Sequence, residues 1–198
     1  LFAMLLASDN LPTKDEHNVR LCISAGEPLP SDLLARWRGT FGVDILDGLG
    51  TTEMLHIFVS NRPDEITPGS TGRVVPGYQI RLINDNNEVC APGEMGVLEV
   101  SGPSSALMYW GQRQKTKDTF KGTWTRTGDN YSISEKGVMT YGGRNDDMLK
   151  VGGIYVSPFE VEAALIKHEA VLEAAVVGNN DQDCLLYTSD AADDQACG

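Results

Sequence analysis

Apolar and polar positions change their period several times along the chain, and each change marks an element. Leu1 to Ala7 is apolar and reads as the end of a helix, closed by Ser8-Asp9-Asn10-Leu11-Pro12. Val19 to Ser24 reads as a short strand and Ala25-Gly26-Glu27-Pro28-Leu29-Pro30 as a turn. Ser31 is expected to cap a helix through about Thr40, with Leu33, Leu34 and Trp37 at helical spacing. Val43 to Leu46 is a second strand, running into a Gly-rich turn and a helix from about Glu53. This alternation predicts an α/β layer.

The pattern shifts at Gly69. Arg81-Leu82-Ile83, Gly96 to Val100 and Val138 to Tyr141 read as short strands, separated by Pro76-Gly77, Asp85-Asn86-Asn87 and Ala91-Pro92-Gly93-Glu94. They predict a small β subdomain. Arg144 to Asp147 is polar and reads as a linker. Ser157-Pro158-Phe159-Glu160 carries a helix start, with Ser at the cap, Pro at the first helical position and Glu three residues after the cap. Val161, Ala164 and Leu165 give that helix an apolar face, and Ala170 to Gly178 reads as a buried strand. Cys184 to Gly198 has no usable periodicity. It is expected to be non-native coding sequence or a disordered acidic terminus.

A formal net charge of −12 removes two classes of partner. No basic stripe exists to meet nucleic-acid phosphates or an anionic membrane. No apolar stretch is long enough to span a bilayer. Cys22, Cys90, Cys184 and Cys197 form no Cys-x-x-Cys pair, and the expected compartment is the reducing cytoplasm. The apolar start has no basic leader, so it does not read as a signal peptide. A start at Leu1 instead suggests a missing upstream part.

Three strings carry candidate chemistry. In Asp47-Gly48-Leu49-Gly50-Thr51-Thr52-Glu53, glycines allow close backbone approach and two hydroxyls can donate to phosphate. Backbone N–H groups at a following helix start favour an anion, and Glu53 suits Mg²⁺. Taken alone, the string reads first as an ordinary Gly-rich turn with hydroxyl caps. In Arg126-Thr127-Gly128-Asp129, Asp129 could accept ribose hydroxyls or bond its own backbone in a turn. Gly143-Arg144-Asn145-Asp146-Asp147 has charges that a solvated loop also has.

Together, from residue 19 to residue 180, the strings resemble the adenylate-forming superfamily of acyl- and aryl-CoA synthetases. The resemblance implies the C-terminal part of the large AMP-binding domain over 1–143 and a hinge over 144–147. The start of a small α+β domain would cover 148–182, with a tail over 183–198. It implies that Ala25, Gly26 and Glu27 lie against adenine and that Asp47, Gly48, Leu49, Gly50 and Thr51 frame the nucleotide turn. Thr52 would contact the α-phosphate and Glu53 would hold Mg²⁺. Asp129 would bind ribose, and Arg144 would be a second nucleotide contact. Asp146 falls at the hinge, and Lys150, Gly152 and Gly153 fall in the loop that meets the coenzyme A arm.

Met54 to Phe58 and Met148 to Pro158 look most like the benzoate-CoA ligase branch. There the turn and the helix after it wall the acyl pocket. Leu49 would then contact a flat ring and His56 its edge or carboxylate, although His56 also reads as a partly buried helix histidine with a local partner. The implied activity is ATP-dependent formation of an acyl-adenylate and then a CoA thioester. The implied partners are a small aromatic carboxylate, ATP and coenzyme A. The alternatives are loading of a carrier-protein thiol, or AMP/ATP binding without turnover. Two departures stand out. Leu49 occupies a position that is often aromatic. The Ser/Thr/Gly-rich phosphate loop and the C-terminal catalytic lysine are not found, so the chain as it stands is expected not to complete adenylation.

Overall fold

Leu34, Trp37 and Phe41 recur at helical spacing, and all three are buried on one side of α2 (Ser31–Phe41). Gly42 ends that helix at φ 68, a left-handed position that glycine occupies without a Cβ penalty. The cap at the other end is Pro30, with Ser31 the first helical residue and no side-chain cap, so the expected Ser31 cap is corrected. A short α1 (Phe2–Leu6) precedes it, and the Phe2 ring meets Trp37 edge-on at 4.9 Å.

The computed structural model describes residues 1–151, 154–166, 168, 170–171 and 174–178. They fall into two units, one of residues 1–127 and 131–141, the other of residues 128–130 and the chain from 142.

In the first unit, β1 (Cys22–Ala25) runs parallel to β2 (Ile45–Gly50), with α2 as the crossover between them. β3 (Ile57–Ser60) and β4 (Arg73–Val74) continue the sheet antiparallel, giving the order β1-β2-β3-β4. Leu29, Leu34, Trp37, Phe41, Val43 and Ile45 form the core between α2 and this sheet. A second sheet contains β5 (Gln79–Ile83), β6 (Met95–Ser101), β7 (Phe120–Lys121) and β8 (Trp124–Ile133) in the order β5-β6-β8-β7, with β9 (Met139–Arg144) paired to β8. Its core includes Phe58, Leu82, Leu98, Val100, Tyr131 and Met139. The predicted α/β layer and small β subdomain are therefore both present.

Arg81 faces Glu99 across β5 and β6 and donates to its Oε2 from Nε at 2.9 Å and Nη2 at 2.7 Å. The guanidinium stacks 4.2 Å from the Trp124 ring centroid, and Glu99 is only 3% exposed. α3 (Arg113–Thr119) is not anticipated by the sequence pattern. Its polar sequence carries no apolar stripe to announce a helix.

In the second unit, β10 (Leu149–Val151) pairs antiparallel with β11 (Ile154–Val156). Ser157 caps α4 (Pro158–Leu165) by accepting from the Glu160 N–H at 3.3 Å, as the capping pattern predicts. The predicted buried strand over Ala170 to Gly178 is corrected. Its described residues form no strand, and Val177 is 61% exposed. Two of its positions and the tail over 183–198 lie outside the described residues. No helix among the described residues is long and apolar enough to cross a membrane.

Candidate active site

Parallel pairing of β1 and β2 places their carboxyl ends side by side, with Ser24 opposite Asp47 and Ala25 opposite Gly48. Ligands of open α/β sheets gather at that edge. Ala25, Gly26 and Glu27 are exposed there. Ala25 closes β1 and does not belong to the turn. Gly26 adopts φ 95 in open space, so its glycine serves the bend of the chain.

The Gly-rich string is not a turn but the end of β2. Gly48 pairs with Ala25 on one side and Ser60 on the other, and Leu49 pairs with Val59. At Gly50 a Cβ would lie 2.7 Å from the His56 carbonyl oxygen, which only glycine permits. The predicted helix from Glu53 is also corrected. Thr52–Met54 makes one 3-10 turn, and Leu55 then takes φ 71, ψ −39. Ile57, Phe58 and Val59 are drawn into pairing with β2 and β4, which ends the helical path. A single short turn offers few free N–H groups to an anion, so little of the expected helix-terminus attraction is present.

Glu53 is half-buried beside this turn. Burial alone would push its carboxyl pKa up. The Tyr109 hydroxyl, the Glu53 backbone N–H, the Thr51 hydroxyl dipole and the Lys115 charge outweigh burial and hold it below the usual value. Tyr109 donates directly to Oε1, and the Lys115 ammonium lies 4.4 Å from the Tyr109 ring centroid. Burial and the Glu53 contact raise the Tyr109 pKa. Thr51 Oγ1 is buried without a well-formed hydrogen bond, while Thr52 is exposed. The Glu53 backbone oxygen accepts from Ala106 N–H at 2.7 Å. Sequence reasoning misses Tyr109. Its only signal is an aromatic pair, Tyr109-Trp110, in a segment without periodicity.

No group of three or more His, Cys, Asp or Glu side chains assembles among the described residues. A divalent cation here would meet one ionised carboxylate, Glu53, and would draw its other oxygens from phosphate and water. That arrangement suits Mg²⁺, which keeps several non-protein ligands. The buried Thr51 hydroxyl, which makes no well-formed hydrogen bond and faces the Glu53 carboxylate only through its dipole, also fits a phosphate-bearing ligand.

Asp47 is 6% exposed on β2, and its Oδ1 lacks a hydrogen-bond partner. Burial raises its pKa to about 6, against the opposing pull of the Leu29 and Gly48 amides. His56 is exposed and lies outside any helix, which corrects its expected setting. Its Nδ1 is 2.7 Å from the Ile57 carbonyl oxygen and its Nε2 is 2.9 Å from the Tyr78 hydroxyl.

In the second unit, Arg144 Nη1 donates to Asp129 Oδ1 at 3.0 Å. Asp129 is 7% exposed and belongs to the extended strand β8, not to a turn. Gly128, at φ 80, makes room for the arginine: a Cβ there would lie 3.2 Å from Nη2. Asp146 is exposed in a 3-10 turn over Asn145–Asp147. Lys150 lies on β10 opposite Tyr155. Gly152 and Gly153 fall outside the described residues.

Known proteins resemble this chain in sequence and in fold. Residues 1–110 match the family described as AMP-binding enzyme. The benzoate–CoA ligase of Thauera aromatica is 57% identical over 187 residues, covering 94% of this chain and 36% of the relative. A crystal structure of a benzoate CoA ligase from Burkholderia xenovorans LB400 superposes with a TM-score of 0.85 at 49% identity, covering 94% of this chain and 37% of that one. The anthranilate CoA ligase AuaEII, solved with anthranoyl-AMP, gives 0.84 at 45% identity, covering 93% and 36%. The chain thus spans little more than a third of the length of these relatives. With its Thr52-Glu53 turn at the carboxyl edge of a parallel strand pair and a family match over more than half its length, the chain belongs to the AMP-binding enzyme family.

Proposed function

We propose that this chain is part of an aryl-CoA ligase that activates a small aromatic carboxylate with ATP and transfers the acyl group to coenzyme A. The observation that carries this reading is Glu53. It is half-buried at the carboxyl edge of the first sheet and kept ionised by Tyr109 and Lys115. The 57% identity to a benzoate–CoA ligase supports the acid class.

In the first step a carboxylate oxygen attacks the α-phosphorus, and the bond to pyrophosphate breaks. Thr52 would donate its hydroxyl to an α-phosphate oxygen, and Thr51 would supply a second hydroxyl nearby. Glu53 would hold Mg²⁺, which when bound offsets phosphate charge. Ala25, Gly26 and Glu27 would flank the adenine, with Asp47, Gly48 and Gly50 shaping the strand end beneath it. Leu49 and His56 would line the ring of the acid. Asp129 would accept from the ribose hydroxyls, with Arg144 orienting its carboxylate. In the second step the thiol of coenzyme A attacks the acyl carbonyl and AMP leaves. Asp146 would serve as hinge, and Lys150, Gly152 and Gly153 as the segment that meets the pantetheine arm.

The test is calorimetric titration with non-hydrolysable acyl-sulfamoyl adenosines bearing benzoyl, 4-hydroxybenzoyl or hexanoyl groups. Benzoyl should bind at least tenfold tighter than hexanoyl. Tighter binding of hexanoyl would overturn the aryl assignment. Binding of none, together with no binding of ATP and Mg²⁺, would overturn the nucleotide assignment.

A further inference from the structure

Leu55 occupies a backbone conformation that disfavours every side chain. Its φ 71, ψ −39 lies near the strained γ-turn region, where an L-residue persists only if its surroundings hold it. Its own side chain does not hold it, being 79% exposed. Both chain neighbours, however, are held by hydrogen bonds. On one side, the Ser104 hydroxyl donates to the Met54 carbonyl oxygen at 2.6 Å. On the other, His56 Nδ1 donates to the Ile57 carbonyl, which fixes the proton on Nδ1 and leaves Nε2 facing the Tyr78 hydroxyl at 2.9 Å. Tyr78 lies between the two grips: its hydroxyl is also 2.7 Å from Ser104 Oγ, and because the Ser104 proton goes to Met54, the single Tyr78 proton is shared between Ser104 Oγ and His56 Nε2 as alternative acceptors.

The ring that carries this hydroxyl has little freedom. It lies against the Gly102 backbone so closely that a Cβ there would overlap it. It also meets His56 edge-on at 5.6 Å and Phe58 at 6.1 Å. The resulting chain runs from Met54 through Ser104, Tyr78 and His56 to Ile57, and it closes around Leu55.

We propose that Tyr78 and Ser104 are positioning residues that clamp the strained Leu55 turn and thereby fix Thr52 and Glu53 for the nucleotide. The effect on the nucleotide rests on the function proposed above, whereas the clamp itself does not. Removal of the Tyr78 hydroxyl should loosen both ends of the turn at once. Relief of the strain at Leu55 should make the clamp dispensable, since glycine adopts that conformation without a Cβ penalty.

The test is a cycle of Tyr78→Phe, Leu55→Gly and the double variant, with Ser104→Ala as an independent second route. Amide hydrogen exchange at Met54, Leu55 and His56 reads the clamp, and the long-range nitrogen spectrum of the His56 ring reads its tautomer. Tyr78→Phe should speed exchange at those amides at least tenfold, shift the His56 Nε2 resonance and leave amides of α2 unchanged. The double variant should recover most of the lost protection. ATP and Mg²⁺ affinity should fall in Tyr78→Phe and recover in the double variant. Equal exchange in wild type and Tyr78→Phe, or strictly additive effects, would overturn the clamp. If Tyr78→Phe fails to fold, Ser104→Ala with and without Leu55→Gly measures the same coupling, and the same two outcomes decide it. Absence of ATP binding by the wild type would sink the functional reading and leave the exchange result to judge the clamp.

Discussion

Asp47 should make this protein less stable as the pH rises through the range where most proteins are most stable. Its carboxyl is buried, Oδ1 has no partner, and burial lifts its pKa from 3.8 to about 6. Between those values the folded state holds a proton that the unfolded chain releases. Stability is therefore fully present below pH 3.8 and lost as the pH rises through about 6. At about 1.4 kcal/mol per pH unit, the shift sets a ceiling of about 3 kcal/mol, which water penetration around the carboxylate brings to about half. Asp47→Asn keeps the shape and removes the titration. Urea unfolding of both proteins from pH 3.5 to 8 gives the difference directly, and other carboxylates cancel in it. The expected result is a wild-type stability that falls relative to Asp47→Asn by about 1–2 kcal/mol between pH 4 and 7 and is flat above. A difference that stays constant, or that rises with pH, would refute the reasoning.

Two further outcomes follow from the geometry. Gly50→Ala sets a Cβ 2.7 Å from the His56 carbonyl oxygen, a backbone atom that cannot rotate away, and should lower stability by about 1–3 kcal/mol in urea titration. Asp129→Ala removes a carboxylate that is 7% exposed and paired with Arg144, and should weaken the benzoyl-sulfamoyl adenosine by about tenfold or more in calorimetry. Unchanged affinity there would sink the ribose assignment.

Much of the α/β layer is legible in the sequence because burial and local pattern agree in it. Leu34 and Trp37 show helical spacing in the sequence and both are buried in the structure. Ser157 and Pro158 announce α4 because a cap is a local hydrogen bond. The functional turn departs from its expected form at the point where tertiary contacts overrule local preference. The chain from about Glu53 reads as helix, yet Gly50 and Ile57 pair across strands and Leu55 is held at positive φ. Tyr109 is invisible in the sequence for a related reason. Its partner Glu53 is 56 residues away, and no period links them. Asp129 reads equally as a turn residue, because only the distant Arg144 reveals what its strand presents.

The Arg81–Glu99 pair under Trp124 has a consequence for how the second sheet finds its alignment. Glu99 is 3% exposed, and its charge is met by one guanidinium directly opposite. A slip of β5 by one residue along β6 would turn Arg81 to the other face and strand a buried carboxylate, a penalty of about 3–5 kcal/mol. Misaligned pairings are thereby made costly, so the pair works as a key that admits one alignment. Lysine would be a poor replacement, because it lacks the planar fork that grips Glu99 while stacking on the indole.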